Sequence, residues 1–352
     1  MVYSPCRMFK FYLLLAIALP LTQAVRLFLT NEEGWKHPYL RSFFNLLDDG
    51  NTDRELLLCA PKNKLPEYHG SVIIKPVEVH VPDNENDDII KTPPKDEVHP
   101  VFQGGILRSD PRISYAEDSY SEVQQGLKYR APLVYKWRPD SDPPITSPDT
   151  QEPWKADLIL YGPNNGNILG SNGHFHGLFT VRILTWHGHQ IISFAGAPTT
   201  HTNPYRHSEA IKARTEIYAK LAKHITQRVI ESGTPPYLPK KTYLSVNFPD
   251  PFSDNKRCTE VADFTFVLTS HWKKDISLLP NLHCNRLYFP YEKKVVQSKG
   301  CYVAITLGDS RHPSQGFTGR PSPRPWARQQ IINMLGPILG CFKKEDEKDE
   351  PK

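Results

Sequence analysis

Val25-Arg-Leu-Phe-Leu-Thr30 is an apolar, β-compatible run, and it breaks at Asn31-Glu32-Glu33-Gly34. Leu40, Phe43, Phe44 and Leu47 then fall on one face at helical spacing. They predict a helix over 38–47, with Pro38 suited to its first turn. Asp48-Asp49-Gly50-Asn51 closes that helix with turn chemistry. Glu55–Ala60 is a second short strand, stopped by Pro61. The opening is therefore strand, charged loop, helix, strand. In open parallel sheets, ligands bind at the carboxyl edge where such a loop lies.

Ser71 to Val77 is a further strand candidate. From about 78 to 153 the periodicity fades. That stretch holds eleven Pro and an acidic segment, Asp83 to Asp88, and it predicts a long irregular insertion with a few edge strands. Order returns with the buried-strand pattern Asp157–Tyr161, followed by a Gly/Asn-rich loop from Gly162 to Gly170. A helical stretch over 176–185 and a strand over 190–196 come next. A long helix over 208–231 carries the apolar stripe Ile211, Ile217, Leu221, Ile225 and Val229. Thr242–Phe248 is a strand closed by Pro249. Strands alternating with helices imply a largely parallel sheet. Beyond 250 the pattern is β-rich, with strands expected at 264–269, 287–291 and 301–307, then a short amphipathic helix over 325–339. Lys343 to Lys352 is a solvated charge run.

The N-terminus changes this picture. Arg7 and Lys10 precede an apolar stretch from Phe11 to Leu21, and Thr22 and Ala24 supply small residues. That order predicts a signal peptide over 1–24, cleavage near Ala24, and export. The apolar run is short for a membrane span, and no later segment is apolar enough to be one. The formal net charge of +5 falls to +3 without Arg7 and Lys10, 41 basic against 38 acidic residues. This is too mild for a nucleic-acid polymer as partner. Cys59, Cys258, Cys284, Cys301 and Cys341 remain after export. An oxidising compartment permits disulfides, one of them within 258–301, although spacing does not fix the connectivity.

Three constellations could carry chemistry. Glu32 and Glu33 at a strand end can share a hard divalent cation, or they can simply favour the dipole of the next helix. Gly162-Pro-Asn164-Asn165-Gly166-Asn167 can present backbone N–H groups to an anion, or it can be an ordinary turn. His174 and His176, with His187 and His189 beyond, are potential metal ligands or acid–base groups, or solvated rings.

Taken in order, these pieces resemble the SurE family of phosphatases and nucleotidases. Asn31-Glu-Glu-Gly34 stands where the family has Asn-Asp-Asp-Gly. Leu56–Pro61 is similar to its second strand ending in Ala-Pro, and Asp157–Gly166 to its Asp-Leu-Val-Val-Ser-Gly-Ile-Asn-x-Gly segment. Thr242–Pro249 and Gly300–Thr306 resemble two later strands of the family. The likeness spans about 25 to 310, apart from most of the insertion.

It implies an α/β, Rossmann-like three-layer fold with a mostly parallel sheet and a β-rich C-terminal extension. The core would span 25–250, the extension 251–340, and a charged tail 341–352. It further implies a secreted, metal-dependent phosphomonoesterase acting on a small phosphomonoester or nucleotide. Glu32, Glu33 and Asn164 would hold Mg or Mn. Gly162, Asn165, Gly166 and Gly170 would cradle phosphate and Glu32 would be catalytic; His176, where the family has Ser, could serve as acid or base by its own chemistry. A homodimer, formed by exchanging part of 251–310, is implied as well.

Three departures weaken the expected activity. Both aspartates are replaced by the longer glutamate, and ungapped counting puts Pro66 at the family's ligating Ser. Phe175-His176-Gly177-Leu178 replaces a Tyr-Ser-Gly-Thr, with loss of two hydroxyls. A catalytically inactive relative that keeps a phosphate or nucleotide pocket, or an interaction protein using the Pro-rich insertion, are the alternative readings.

Overall fold

The computed structural model describes residues 24–62, 68–69, 72–73, 89–91, 104–107, 109–110, 112–116, 155–170, 173, 178–198, 209–253, 258–273, 284–285, 288–310 and 323–343. The targeting segment, Pro66, Ser71, His174, His176, most of the Pro-rich insertion and the charged tail lie outside them.

The strands are β1 (Val25–Thr30), β2 (Arg54–Pro61), β3 (Tyr68–His69), β4 (Val72–Ile73), β5 (Ile89–Lys91), β6 (Gly104–Leu107), β7 (Ile113–Ala116), β8 (Leu158–Asn165), β9 (Ile191–Gly196), β10 (Thr242–Asn247), β11 (Thr265–Thr269) and β12 (Tyr302–Asp309). The helices are α1 (Pro38–Leu47), α2 (Phe179–Trp186), α3 (Glu209–Glu231), α4 (Glu292–Val296) and α5 (Pro325–Leu335). Ten strands form one sheet in the order β11-β12-β10-β9-β8-β1-β2-β7-β6-β5. The run from β10 to β7 is parallel throughout, and β12 is antiparallel to β10.

This is the mostly parallel α/β fold that the alternating pattern implies. The central strands are buried on both faces, so they read as continuous apolar runs rather than alternating ones. Leu40, Phe43 and Phe44 of α1 pack with Leu221 and Ile225 of α3 on one side of the sheet. Leu178, Val181 and Leu184 in and beside α2 pack with Phe28, Leu57, Ile159 and Tyr161 on the other. Phe43 meets Phe194 of β9 edge-on at 5.5 Å, which keys α1 to the sheet. Among the described residues no helix is long and apolar enough to cross a membrane.

The structure differs from the sequence expectation in two elements and refines a third. The predicted loop at Gly162 is instead strand, since β8 runs on to Asn165 through an irregularity between Tyr161 and Asn164. Its backbone keeps pairing with β9 after the apolar pattern has ended. The strand expected over 287–291 is an isolated bridge between Ser270 and Tyr291 that leads into α4. Pro290 cannot donate to a ladder there. The β-rich stretch after 250 joins the main sheet, β12 lying between β10 and β11. From the insertion, β5, β6 and β7 extend the opposite edge. Disulfides join Cys258 to Cys301 and Cys284 to Cys341, and Cys59 is buried and belongs to neither bridge.

Candidate functional site at the carboxyl edge

β1 ends in a tight turn. Asn31 is fully buried, and its Oδ1 accepts the Gly34 N–H at 3.0 Å. Gly34 has φ 99°, a conformation that suits glycine. The turn brings the Glu32 N–H to Asn164 Oδ1 at 3.2 Å. The first and second constellations thus meet at the ends of adjacent parallel strands, β1 and β8.

The two glutamates are held differently. The Tyr161 hydroxyl donates to Glu32 Oε1 at 2.8 Å from the α2 side of the sheet. Glu33 is 7% exposed, and its charge acts on the Tyr39 hydroxyl on the α1–α3 side. Burial pushes the Tyr39 phenol up to about 12, and Asp250 and Glu33 add to the rise. The Arg214 guanidinium beside it opposes them. Arg214 donates from Nη2 to Asp250 Oδ1 at 2.7 Å.

The Gly/Asn segment is tied down from within. The Gly166 N–H donates to the Gly196 carbonyl at 3.0 Å, and the Ile168 N–H to Asn247 Oδ1 at 2.8 Å. Asn167 Nδ2 donates to the Phe248 carbonyl at 2.9 Å. The Gly170 N–H donates to Glu292 Oε1. Glu292, fully buried, also accepts from Thr306 Oγ1 at 2.7 Å and lies 2.9 Å from His271 Nδ1. Gly162 is packed so tightly on β9 that a Cβ would overlap the Phe194 carbonyl. Asn165 pairs with Gly196. Gly162, Asn165, Gly166 and Gly170 are therefore placed along the predicted site. The N–H groups of Gly166 and Gly170, however, already have protein acceptors.

The structure brings together Asn31, Glu32 and Asn164, while Glu33 acts on Tyr39 at the other face of the sheet. His176 falls outside the described residues. Sequence reasoning did not single out Tyr161, Tyr39, Arg214, Asp250 or Glu292. One signal was present for Arg214. It sits three residues after Ile211 and four before Tyr218, on the buried stripe of α3, where a cation is out of pattern.

The donor set for a divalent cation is all oxygen, which suits a hard ion such as Mg²⁺ or Mn²⁺. Each oxygen acceptor has more than one lone pair, so Glu32 and Asn164 retain binding capacity beyond the bonds described. Among the described residues no group of three or more His, Cys, Asp or Glu gathers to complete an all-protein cage. The described residues match such an ion in donor type and do not form a closed cage for it.

No family model and no curated protein matches the chain. Among solved structures, the chain is similar to a SurE protein from Aquifex aeolicus at 17% identity and a TM-score of 0.46. The match covers 88% of this chain and 99% of that one.

Proposed function

We propose that the protein is a secreted, SurE-like phosphomonoesterase of low turnover, acting on a small phosphomonoester or nucleotide with a divalent cation. The observation that carries this reading is the contact between the Glu32 N–H and Asn164 Oδ1. It joins the two motifs on which the resemblance rests. Glu32, Glu33 and Asn164 would hold the cation. Bound there, it supplies Lewis acidity toward a phosphoryl oxygen and a lowered pKa for an attacking water. The chain's own part is to position these groups at a strand edge fixed by backbone pairing. His176, which stands where the family has Ser, is given the acid–base role by its imidazole chemistry.

Low turnover follows from placement. The Tyr161 hydroxyl draws Glu32 Oε1 to itself. The loop N–H groups that would cradle phosphate donate elsewhere. Small displacements of positioned groups cost on the order of 100-fold in rate.

Hydrolysis of p-nitrophenyl phosphate and 5′-nucleotides tests the reading, with Mg²⁺ or Mn²⁺ against chelator. Activity that needs the cation and falls about 100-fold in Glu33→Ala and Asn164→Ala supports it. Activity indifferent to both variants places the site elsewhere. The Tyr161 hydroxyl on Glu32, a carboxylate that turnover would need for the cation, favours a second reading, a phosphate- or nucleotide-binding relative without turnover. Calorimetric binding of 5′-AMP with no product over hours would select it. Export is read from the N-terminal pattern, and two disulfides suit an oxidising compartment. Secreted protein that retains Met1 would overturn it. The homodimer rests on the resemblance, and light scattering that finds only monomer at micromolar concentration would remove it.

A further inference from the structure

Four buried donors at the carboxyl edge lack hydrogen-bond acceptors among the described residues. They are Arg214 Nε, the Tyr39 hydroxyl, Asn31 Nδ2 and Asn164 Nδ2. Tyr39 and Asn31 are fully buried, and Asn164 is 4% exposed. The assignment of the two amides is fixed, because each Oδ1 accepts a backbone N–H. Buried donors are rarely left unsatisfied, so such a group invites a ligand or water.

Tyr39 of α1 lies beside Arg214 of α3, and Asn31 begins the turn whose Glu32 N–H reaches Asn164 of β8. The Tyr39 ring meets Tyr218 edge-on at 5.4 Å. Tyr218 in turn covers Gly196, where a Cβ would run into its ring. Its hydroxyl accepts from the Ala197 N–H at 3.1 Å and donates to the Pro249 carbonyl at 3.0 Å. Gly196 pairs with Asn165, next to Asn164. Arg214 lies beside Tyr39 as a donor to the phenol oxygen, which leaves the Tyr39 O–H itself without an acceptor among the described residues.

We infer that Arg214 and Tyr39, with the Asn31 and Asn164 amides, recognise the phosphoryl oxygens of the ligand. This rests on the phosphomonoester reading and adds side-chain donors to the phosphate cradle that the motif resemblance places at Gly162, Asn165, Gly166 and Gly170. Directionality supports it, since all four atoms offer N–H or O–H and a phosphoryl oxygen accepts. Net charge does not select an anion by itself, because Asp250 and Glu33 offset Arg214. The cation of the proposed function provides the remaining positive charge. Burial keeps the Tyr39 phenol protonated at physiological pH, so it stays a donor.

Tyr39→Phe gives the sharpest test. Its O–H has no acceptor among the described residues, so removing it should cost little in melting temperature, Arg214 losing only its contact with the phenol oxygen. A hydroxyl with a purely structural role would cost stability and leave ligand affinity intact. Arg214→Met with Asp250→Asn removes the guanidinium without stranding its carboxylate partner. The probes are inorganic phosphate and 5′-AMP with Mn²⁺ present, read by calorimetry and by the phosphate-induced rise in melting temperature. Both variants should bind AMP about 10- to 100-fold more weakly, while Mn²⁺ binding without phosphate stays unchanged. Wild-type phosphate affinity retained in both variants would leave these donors to buried water and overturn the inference alone. Wild-type protein that binds neither phosphate nor AMP, with or without Mn²⁺, would overturn the phosphomonoester reading and this inference with it.

Discussion

At the scale of single residues, the Tyr161 hydroxyl holds the Glu32 carboxylate oxygen that the proposed cation would need. An O–H donor on a carboxylate oxygen is a charge-assisted bond, roughly twice as strong as a neutral one. Tyr161→Phe should therefore tighten Mn²⁺ binding by about 3- to 10-fold, on the order of 1 kcal/mol. Equal affinities for wild type and variant would mean that Glu32 does not hold the ion. Glu32→Asp should act in the same direction, because the shorter side chain withdraws from Tyr161. Two histidines govern acid behaviour. Burial holds the His189 imidazole below its ordinary value, and Lys155 and His187 add to the effect. Burial does the same to His224, against a smaller opposing effect of Glu231. Below the ordinary value of about 6.5 the unfolded chain takes up protons before the folded one does, so stability falls as pH drops through that window. The melting temperature should be lower at pH 5 than at pH 7, and His189→Gln with His224→Gln should narrow the gap. An unchanged gap would assign the loss to other groups.

At the scale of elements, α4 is short but anchors the loop that ends at Gly170. Glu292 accepts from the Gly170 N–H and Thr306 Oγ1 and contacts His271, all in the interior. An amide cannot accept at both of its heavy atoms. Glu292→Gln should therefore leave a donor unmet and cost about 2–4 kcal/mol, seen as a lower urea midpoint. A loss below about 0.5 kcal/mol would show that water replaces the carboxylate. The same element shows where sequence reading stops. α1, α3 and the central strands were legible because their burial is written in local periodicity. Glu292 sits in Tyr-Glu-Lys-Lys, which reads as surface charge, and its partners lie 14 to 122 residues away. The extension of β8 to Asn165 was hidden for a related reason, since main-chain pairing carries it without apolar side chains. Within the site, Asn31, Glu32 and Asn164 were legible as motif residues. Tyr161 and Arg214 were not, because their role depends on which face of the sheet or helix each one takes.

At the scale of the whole molecule, the sheet is not laid down in chain order. Among the named strands, β11 pairs only with β12, and on its other side Phe266 bridges Leu339. Both partners come later in the sequence than β11 itself. The Cys258–Cys301 bridge, between residues 43 apart, brackets this gap. Closing a loop of that size stabilises a fold by about 3–4 kcal/mol in the chain-entropy view. Pulse-labelled hydrogen exchange during refolding should show Phe266–Leu268 amides protected no earlier than those of β12. Earlier protection of β11 would break this order. The consequence reaches back to synthesis. When Thr265–Thr269 leaves the ribosome or a translocation channel, it is an apolar strand with no neighbour, and it stays so until the segment after residue 300 has followed. Such unpaired edges are where chains aggregate during biogenesis.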